Sequence, residues 1–506
     1  MKEYLISLDV GTSSMRAVIY SDEGKVLNSF SFEYHTTFPK PSYVEQDPEI
    51  WKESALYVLR AAGKYCAEQD ILPQAISITS QRASMIPLDK FGKPLHDAIM
   101  WQDKRTIDIC DRLIKECGLR TLYNKTGVRV NPLFVLNKII WLRENEPEIF
   151  AKTEKFVGVQ DYVTFCLTGD YVTDWTQASR TMLMDLQKRT WDSDLLKLAG
   201  ITEDRLCRLV PPGTVAGTLR PAFAEACVLP AGVPIIVSGG DQQNAALALG
   251  VTSPGKAAAN TGTGSFFLSY SEKPAFDEKS RVLCQAGAAA GTYIMETTIY
   301  NSGAIFRWFK EQHCPDLAEA GDAYVRMTEE ASSVPTGSKG VVMLPHFEGS
   351  AAPNWNPQAK GLFFNLGLGT TRAMLIRSIM EGIAMELADN LDLMRGLIGD
   401  VNTISVAGGL NRSRLFCQMQ ANTYNARVRR PQNAEASSLG ACMNAGVALG
   451  WYQDLNMAAV ALGGKSDLYM PEEVHIEQYN ELRRRRRALY DALNDAGIYK
   501  MFMEPL

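Results

Sequence analysis

Two carboxylates in this sequence stand where an apolar run gives way to a glycine turn, and the chemistry is sought there first. Asp241 follows residues 233–237, apolar and rich in β-branched side chains, and then the pair Gly239-Gly240. The run reads as a short buried strand. Glycines at its end let the backbone turn sharply or come close to another group. Residues 245–249 are small and apolar and read as the start of a helix. A carboxylate at the carboxyl end of such a strand sits where open α/β sheets place their ligand chemistry. Taken alone, Asp241 reads equally well as the cap of the next helix. Asp9 ends a second run, residues 5–8, and precedes Gly11-Thr12-Ser13-Ser14. A carboxylate ahead of a hydroxyl-rich turn offers donors to Mg²⁺ and to phosphate oxygens, although an ordinary polar hairpin has the same look.

The elements that must position these groups follow from the pattern around them. Residues 15–20 and 25–30 read as two more strands joined by the turn Asp22-Glu23-Gly24. Asp47-Pro48-Glu49 opens a helix that runs on an apolar helical period to about residue 68, with proline in its first turn. A strand over 74–79 feeds Ser80-Gln81-Arg82, and a short strand ends in Trp101-Gln102-Asp103 ahead of a helix opened by Lys104-Arg105-Thr106. Arg82, Trp101 and Asp103 all lie just past strand ends. There an aromatic ring covers the C–H face of a polyhydroxylated ligand while charged groups bind its hydroxyls. Read singly, Trp101 is a core residue and Asp103 a helix cap.

Beyond Asp241 the plan starts again. Residues 256–260 read as a strand leading into Thr261-Gly262-Thr263-Gly264-Ser265-Phe266, in the same layout as Asp9 to Ser14. Residues 403–407 read as a strand ending in Gly408-Gly409, with a helix from Arg414, and mirror residues 74–80. A long helix is expected over 371–397. The expected architecture is two similar α/β lobes whose hydroxyl and glycine turns face one cleft. The last segment, residues 474–506, reads as helix. Its run Arg483 to Arg487 lies among Glu472, Glu473, Glu477 and Glu481 and is expected to be a solvated face.

Composition narrows the function. The chain has 506 residues, 46% of them hydrophobic, enough for two or more domains with cores of their own. A net charge of -5 argues against a nucleic-acid or anionic-membrane partner. The ten cysteines are scattered, without C-x-x-C spacing or a Cys/His cluster, so reduced thiols, no zinc and a cytoplasmic location are expected. No cleavable leader is read at the start, and no apolar run approaches bilayer length.

Taken together and in order, these stretches resemble the FGGY family of carbohydrate kinases, and within it the glycerol-kinase-like members. Leu8-Asp9 with Gly11-Thr12-Ser13-Ser14 and Arg16 is similar to the family's first phosphate loop, and Trp101 to Thr106 to its substrate-side tryptophan motif. Gly240-Asp241-Gln242-Gln243 is similar to its catalytic-base motif, Asn260 to Gly264 to its second phosphate loop, and Ala407-Gly408-Gly409 to its adenosine loop. Pro353 to Pro357 and Gly361 resemble a further family segment. The resemblance spans nearly the whole chain. It implies an α/β fold of two actin-like (ribonuclease H-like) domains flanking an ATP cleft, here 1–244 for the acceptor and base and 245–506 for ATP. The cofactors implied are ATP and Mg²⁺. Asp241 is the implied base, and Asp9 and Asp241 the metal side. Thr12, Ser13, Arg16 and Thr263 are implied for the phosphates, and Gly303, Arg307, Gly409 and Ser413 for the nucleoside. Arg82, Trp101, Asp103, Asp241, Gln242 and Phe266 are implied for the acceptor.

The departures bear on the substrate. The first family signature holds from Lys138 through Trp141 to Asn145 but departs at Leu133 and Val135; the second departs at Asn365 and Met374. Glycerol kinases follow the arginine matched by Arg82 with a glutamate and place a tyrosine at Leu133; here Ala83 follows. Two hydroxyl partners are lost and room is gained, which favours a ketose or a C4–C6 polyol over glycerol itself. An actin-like ATPase or a sugar sensor without kinase activity is the competing reading. The acceptor-side segments around Trp101 and Asp241 have no task in such an ATPase. Homodimer and homotetramer are both left open.

Overall fold

The computed structural model describes residues 3–317, 320–432 and 435–502. Two sheets carry the fold. The first contains β1 (Tyr4–Val10), β2 (Ser14–Ser21), β3 (Val26–Glu33), β4 (Pro73–Ser80), β5 (Thr214–Thr218) and β6 (Pro234–Gly240), in the order β3-β2-β1-β4-β6-β5. The second contains β7 (Lys256–Thr261), β8 (Ser265–Ser271), β9 (Leu283–Ala286), β10 (Tyr293–Ile299), β11 (Thr403–Ala407), β12 (Arg427–Pro431) and β13 (Ser466–Tyr469), in the order β9-β10-β8-β7-β11-β12-β13. The two orders superpose. In each, a meander of three antiparallel strands continues into three parallel ones, β1-β4-β6 and β7-β11-β12, and closes with an antiparallel edge. The second sheet adds β9 at its far edge. The repeat expected from the two Gly/Thr turns is thus a repeat of topology.

The parallel strands fix where the loops go. β1, β4 and β6 run in one direction, so Asp9, Arg82 and Asp241 emerge from a common edge of the first sheet. β7 and β11 do the same for Thr261 and Gly408. Helix α1 (Glu49–Glu68) covers the first sheet with a buried stripe from Trp51 to Cys66. Helix α2 (Asp241–Ala248) follows β6 without a break, so the expected boundary between residues 244 and 245 falls inside it. Helix α3 (Gly303–His313) follows β10, and helix α4 (Arg372–Ile398), with Thr371 capping the amide of Met374, crosses the second sheet. Helix α5 (Arg414–Tyr424) starts after β11.

Helix α6 (Ala436–Ala448) belongs to the second half by sequence but packs across the first sheet, where Ser7 and Ser77 donate to the carbonyls of Ser438 and Ala441. It packs on α2 there, and Leu5, Tyr20 and Ile236 share a core with Leu439, Cys442 and Met443. The lobes are therefore joined by an apolar seam. Helix α7 (Glu473–Asp495) corrects one expectation: its arginine run is not wholly a solvated face. Arg486 is buried, donating to Glu386 and Asp389, and Arg483 pairs with Asp389 and Asp392. The helical period turns these two inward, three residues apart, while Arg484, Arg485 and Arg487 stay exposed. No helix among the described residues is long and apolar enough to cross a membrane.

Candidate active site

At the edge of the first sheet, two glycines set Asp241 in place. A side chain on Gly240 would put its Cβ 2.5 Å from Arg82 Cδ, and Gly239 takes φ +105° against Thr176. Glycine is therefore what allows Arg82 to lie across the turn. The Arg82 Nε comes 3.4 Å from Asp241 Oδ1, and the Gln242 amide donates to the same oxygen at 2.7 Å. Asp241 is the first residue of α2 and does not cap it; Gly240 holds the cap position. Burial pushes its carboxyl above the usual range, opposed by Arg82.

Arg82 is buried, and its Nη1 is already committed. It donates to Gln243 Oε1 at 3.2 Å, Gln285 Oε1 at 3.1 Å and Glu296 Oε2 at 3.1 Å. The other oxygen of Glu296 accepts from Arg180 at 3.2 Å. Asp241, half-buried, and the buried Arg82, Glu296 and Arg180 form one chain of alternating charge. Arg82 and Arg180 come from the first lobe, and Glu296 on β10 and Gln285 on β9 from the second. Burial pulls Arg180 down to about 10, with Glu296 opposing. The two arginines hold Glu296 below the usual carboxylate range despite its burial. Sequence reading missed Glu296, Arg180 and Gln285, and named Gln243 only as part of the motif around Asp241. The available signal was a lone glutamate inside the apolar strand Ile294-Met295-Glu296, which has to find a partner when buried.

Asp9 lies beside this group. Its carboxyl is pushed up to about 7, by burial first, then by the charge of Asp241, with Arg16 opposing. Two carboxylates close enough for the charge of Asp241 to raise Asp9 are a donor set suited to a hard divalent cation, which takes one or two carboxylates and completes its shell with water and phosphate oxygens. The turn after Asp9 is pinned from behind, with the carbonyl of Gly11 accepting from Tyr34 Oη at 2.7 Å and that of Thr12 from Gln46. Ser13 is exposed. Thr12 Oγ1 accepts from Trp101 Nε1 at 3.1 Å, which ties this turn to Trp101. Arg16 reaches across to Glu435, at 2.5 Å and 2.6 Å to its two oxygens, and so bridges the lobes.

Trp101 and Gln102 are half-buried in the turn after the short strand Ala98–Ile99, and Gln102 Oε1 and Gln242 Oε1 are buried without a hydrogen-bond donor. Phe266 is half-buried on β8, opposite Thr298. Asp103 is placed differently from the rest. It is 1% exposed, and its oxygens accept from Arg105 at 2.8–3.0 Å and from the Val44 amide at 2.7 Å. It holds Arg105, whose guanidinium stacks on Tyr43 and Trp141, and presents no oxygen to the cleft. Lys138 is fully buried, donating to the carbonyl of Ala83 at 2.6 Å, and burial pulls it down to about 7. Ala83 itself sits at φ +68°, the turn that aims Arg82.

In the second lobe, Thr263, Gly303, Arg307, Gly409 and Ser413 line one cavity of about 720 Å³, a size suited to a nucleotide. Gly303 N donates to the carbonyl of Gly262 at 2.9 Å, and a Cβ on Gly303 would stand 2.4 Å from that oxygen. Gly408 takes φ +96° with Thr261 O where its Cβ would go, whereas Gly409 faces open space. Ser413 caps α5. Every nucleoside-side residue named from the sequence thus borders the same hollow.

Comparison with known proteins agrees in extent. The description "FGGY family of carbohydrate kinases, N-terminal domain" matches residues 4–248, and its C-terminal counterpart matches residues 257–449. The chain is 29% identical to a gluconokinase of Bacillus licheniformis, covering 95% of this chain and 94% of that one. It is 35% identical to glycerol kinase 2 of Saccharolobus solfataricus, covering 90% of each. The structure of a ligand-bound xylulose kinase from Lactobacillus acidophilus superposes with a TM-score of 0.91 at 26% identity, over 99% of this chain and all of that one.

Proposed function

We propose, since the chain belongs to the FGGY family of carbohydrate kinases and is thereby an ATP-dependent phosphotransferase for a sugar or polyol, that its acceptor is a C4–C6 ketose or polyol rather than glycerol. The observation that carries this is a pair of unpaired buried oxygens, Gln242 Oε1 in the residue after Asp241 and Gln102 Oε1 in the residue after Trp101. A buried acceptor without a donor is costly, and hydroxyl groups of a bound sugar supply the missing donors. Ala83 and Leu133 add no hydroxyl partner of their own and leave room for a longer chain.

Asp241 takes the proton of the attacking hydroxyl, whose oxygen forms the new bond to the γ-phosphorus as the bond to the bridging β–γ oxygen breaks. The work of the protein is positioning and charge stabilisation. Arg82 holds Asp241 at its Nε and keeps it ionised when the acceptor arrives. Ser13 and Thr263, with the amides of their turns, face the phosphates from the two lobes. Asp9 and Asp241 are the residues that would hold Mg²⁺, which when bound neutralises charge on the phosphate oxygens. Trp101 covers the C–H face of the acceptor and links it through Thr12 to the first phosphate turn. Closure of the lobes keeps water from competing as acceptor.

The test is ADP release with Mg-ATP against glycerol, erythritol, pentitols, pentuloses and hexuloses. A C4–C6 acceptor used well, with glycerol used poorly, is the expected result. A response confined to glycerol refutes the reading of the acceptor pocket.

A further inference from the structure

Lys138 stands on the helix Val135–Asn145, whose residues from Val135 to Leu142 are all buried, and it is itself buried completely. A lysine is almost never taken out of water whole unless something pairs with it. The carboxylate whose charge reaches it, Asp103, gives its oxygens to Arg105 and to the Val44 amide. Lys138 donates instead to a main-chain carbonyl, that of Ala83, at 2.6 Å. An apolar side chain would fill this core position without the cost of desolvating an amine. The amine is therefore to be explained by the carbonyl it holds.

That carbonyl belongs to a turn on which three parts of the site hang. β4 ends at Ser80, and three of the next four residues each reach a different neighbour. Gln81 donates through its amide to the Val10 carbonyl at 2.9 Å and through Nε2 to the Gly11 carbonyl at 3.3 Å, in the turn that follows Asp9. Arg82 Nε lies 3.4 Å from Asp241 Oδ1. Ser84 Oγ accepts from the Trp101 amide at 3.2 Å. Between Arg82 and Ser84, Ala83 takes φ +68°, a left-handed conformation that a residue with a Cβ avoids. Such a conformation persists where its surroundings over-determine it. Here Lys138 does so: if the peptide swings back to an ordinary conformation, a buried carbonyl and a buried amine both lose their partner.

We propose that Lys138 is a positioning residue, which holds the left-handed turn at Ala83 and through it sets Arg82 against Asp241 and Ser84 against Trp101. This rests on the reading of Asp241 and Trp101 as the acceptor side and not on which acceptor is used. The full chain is therefore assayed with Mg-ATP and whichever acceptor the wild type turns over, glycerol included. Lys138→Met is expected to lower kcat/KM for the acceptor by about 10- to 100-fold, as for a lost hydrogen bond from a charged group. The ATP KM stays within a factor of a few, because the nucleotide-sized cavity is lined by the second lobe. Glycine enters the left-handed region freely. Ala83→Gly added to Lys138→Met is expected to return about 5-fold or more of the loss, and to gain less in the wild type, where the turn is already held. Acceptor and ATP parameters that worsen together, or a lower melting temperature with acceptor kinetics unchanged, overturn the proposal in favour of a purely structural lysine. An equal effect of Ala83→Gly in both backgrounds also overturns it. Where Lys138→Met fails to fold, Lys138→Gln, which keeps an N–H donor but ends one bond short, is read in the same way, and failure of both to fold overturns the proposal. Asp241→Asn is assayed beside them. Near-normal turnover there ends the reading of the acceptor side, whereas an inactive Asp241→Asn with unchanged kinetics in Lys138→Met ends this proposal alone.

Discussion

Glu296→Gln tests whether the buried charge chain couples the base to closure of the lobes. The substitution leaves Arg82 and Arg180 buried with Asp241 as their remaining carboxylate neighbour. Removing one partner of a buried pair costs about 3–5 kcal/mol. Here the cost does not have to be met by unfolding, because the arginines belong to one lobe and Glu296 to the other. Parting the lobes returns water to both guanidiniums. The closed arrangement is therefore disfavoured by up to roughly two to three orders of magnitude, and the acceptor KM rises with it. The base is affected in a known direction. Glu296 is among the charges that raise the Asp241 carboxyl, whereas Arg82 and Arg180 lower it. Without Glu296 the carboxyl falls, Asp241 stays ionised to lower pH, and the acid limb of kcat/KM moves down. As a weaker base it also transfers more slowly at the plateau. The assays are small-angle scattering of the ligand-free protein, for the radius of gyration, and kcat/KM against pH. A variant with the wild-type radius, whose acid limb stays in place or moves up, refutes the coupling.

Asp241→Asn removes the proton acceptor and keeps its shape, so turnover is expected to fall by about 10²- to 10⁴-fold with ATP affinity by calorimetry unchanged within a factor of a few; near-normal turnover ends the assignment of the base. Lys138→Met removes a buried amine whose folded-state pKa, about 7, lies below its ordinary value of 10.5. Between those limits the unfolded chain binds the extra proton, so wild-type stability rises with pH through this window, and the cost is fully present below it. Urea melts at about pH 6.5 and about pH 9.5 should show this gain, on the order of 3 kcal/mol, shrinking in the variant. An identical pH dependence in both proteins refutes a buried neutral amine.

What was legible in the sequence was what is local. Asp9 and Asp241 stand out because strand, glycine and carboxylate are consecutive, and the Thr/Gly turn of the second lobe repeats the layout of the first. The partners of Arg82 were hidden because they are not local: Glu296 lies 214 residues away and reaches it only when the lobes meet. Asp103 was misplaced for a related reason. Its position past a strand end fits a ligand contact, but Arg105, two residues on, folds back and takes its oxygens. In helix α7 the composition of the arginine run outweighed its period, although Tyr479, Arg483, Arg486 and Tyr490 recur at helical spacing on the packed side.

The two lobes use one plan for opposite ends of the reaction, and they differ in the segment that leaves the parallel strands. In the first lobe β6 runs through Gly239-Gly240 straight into α2, so a carboxylate is delivered at the head of a helix that is itself locked to α6 by the seam between the lobes. Asn244 adds to that lock, donating to Thr79 and accepting from Asn444 on α6. In the second lobe β11 ends in Gly408-Gly409, the chain makes a short turn, and α5 begins only at Arg414, which leaves an open hollow where the first lobe has a packed helix. A rigid mounting suits a base that must meet a hydroxyl at a fixed distance. An open glycine turn suits a nucleotide that has to enter and leave once per turnover. Glu296 of the second lobe pairs with Arg82 and Arg180 of the first. That chain of charges is therefore complete only when both lobes are together, which links the surroundings of Asp241 to the contact between the lobes.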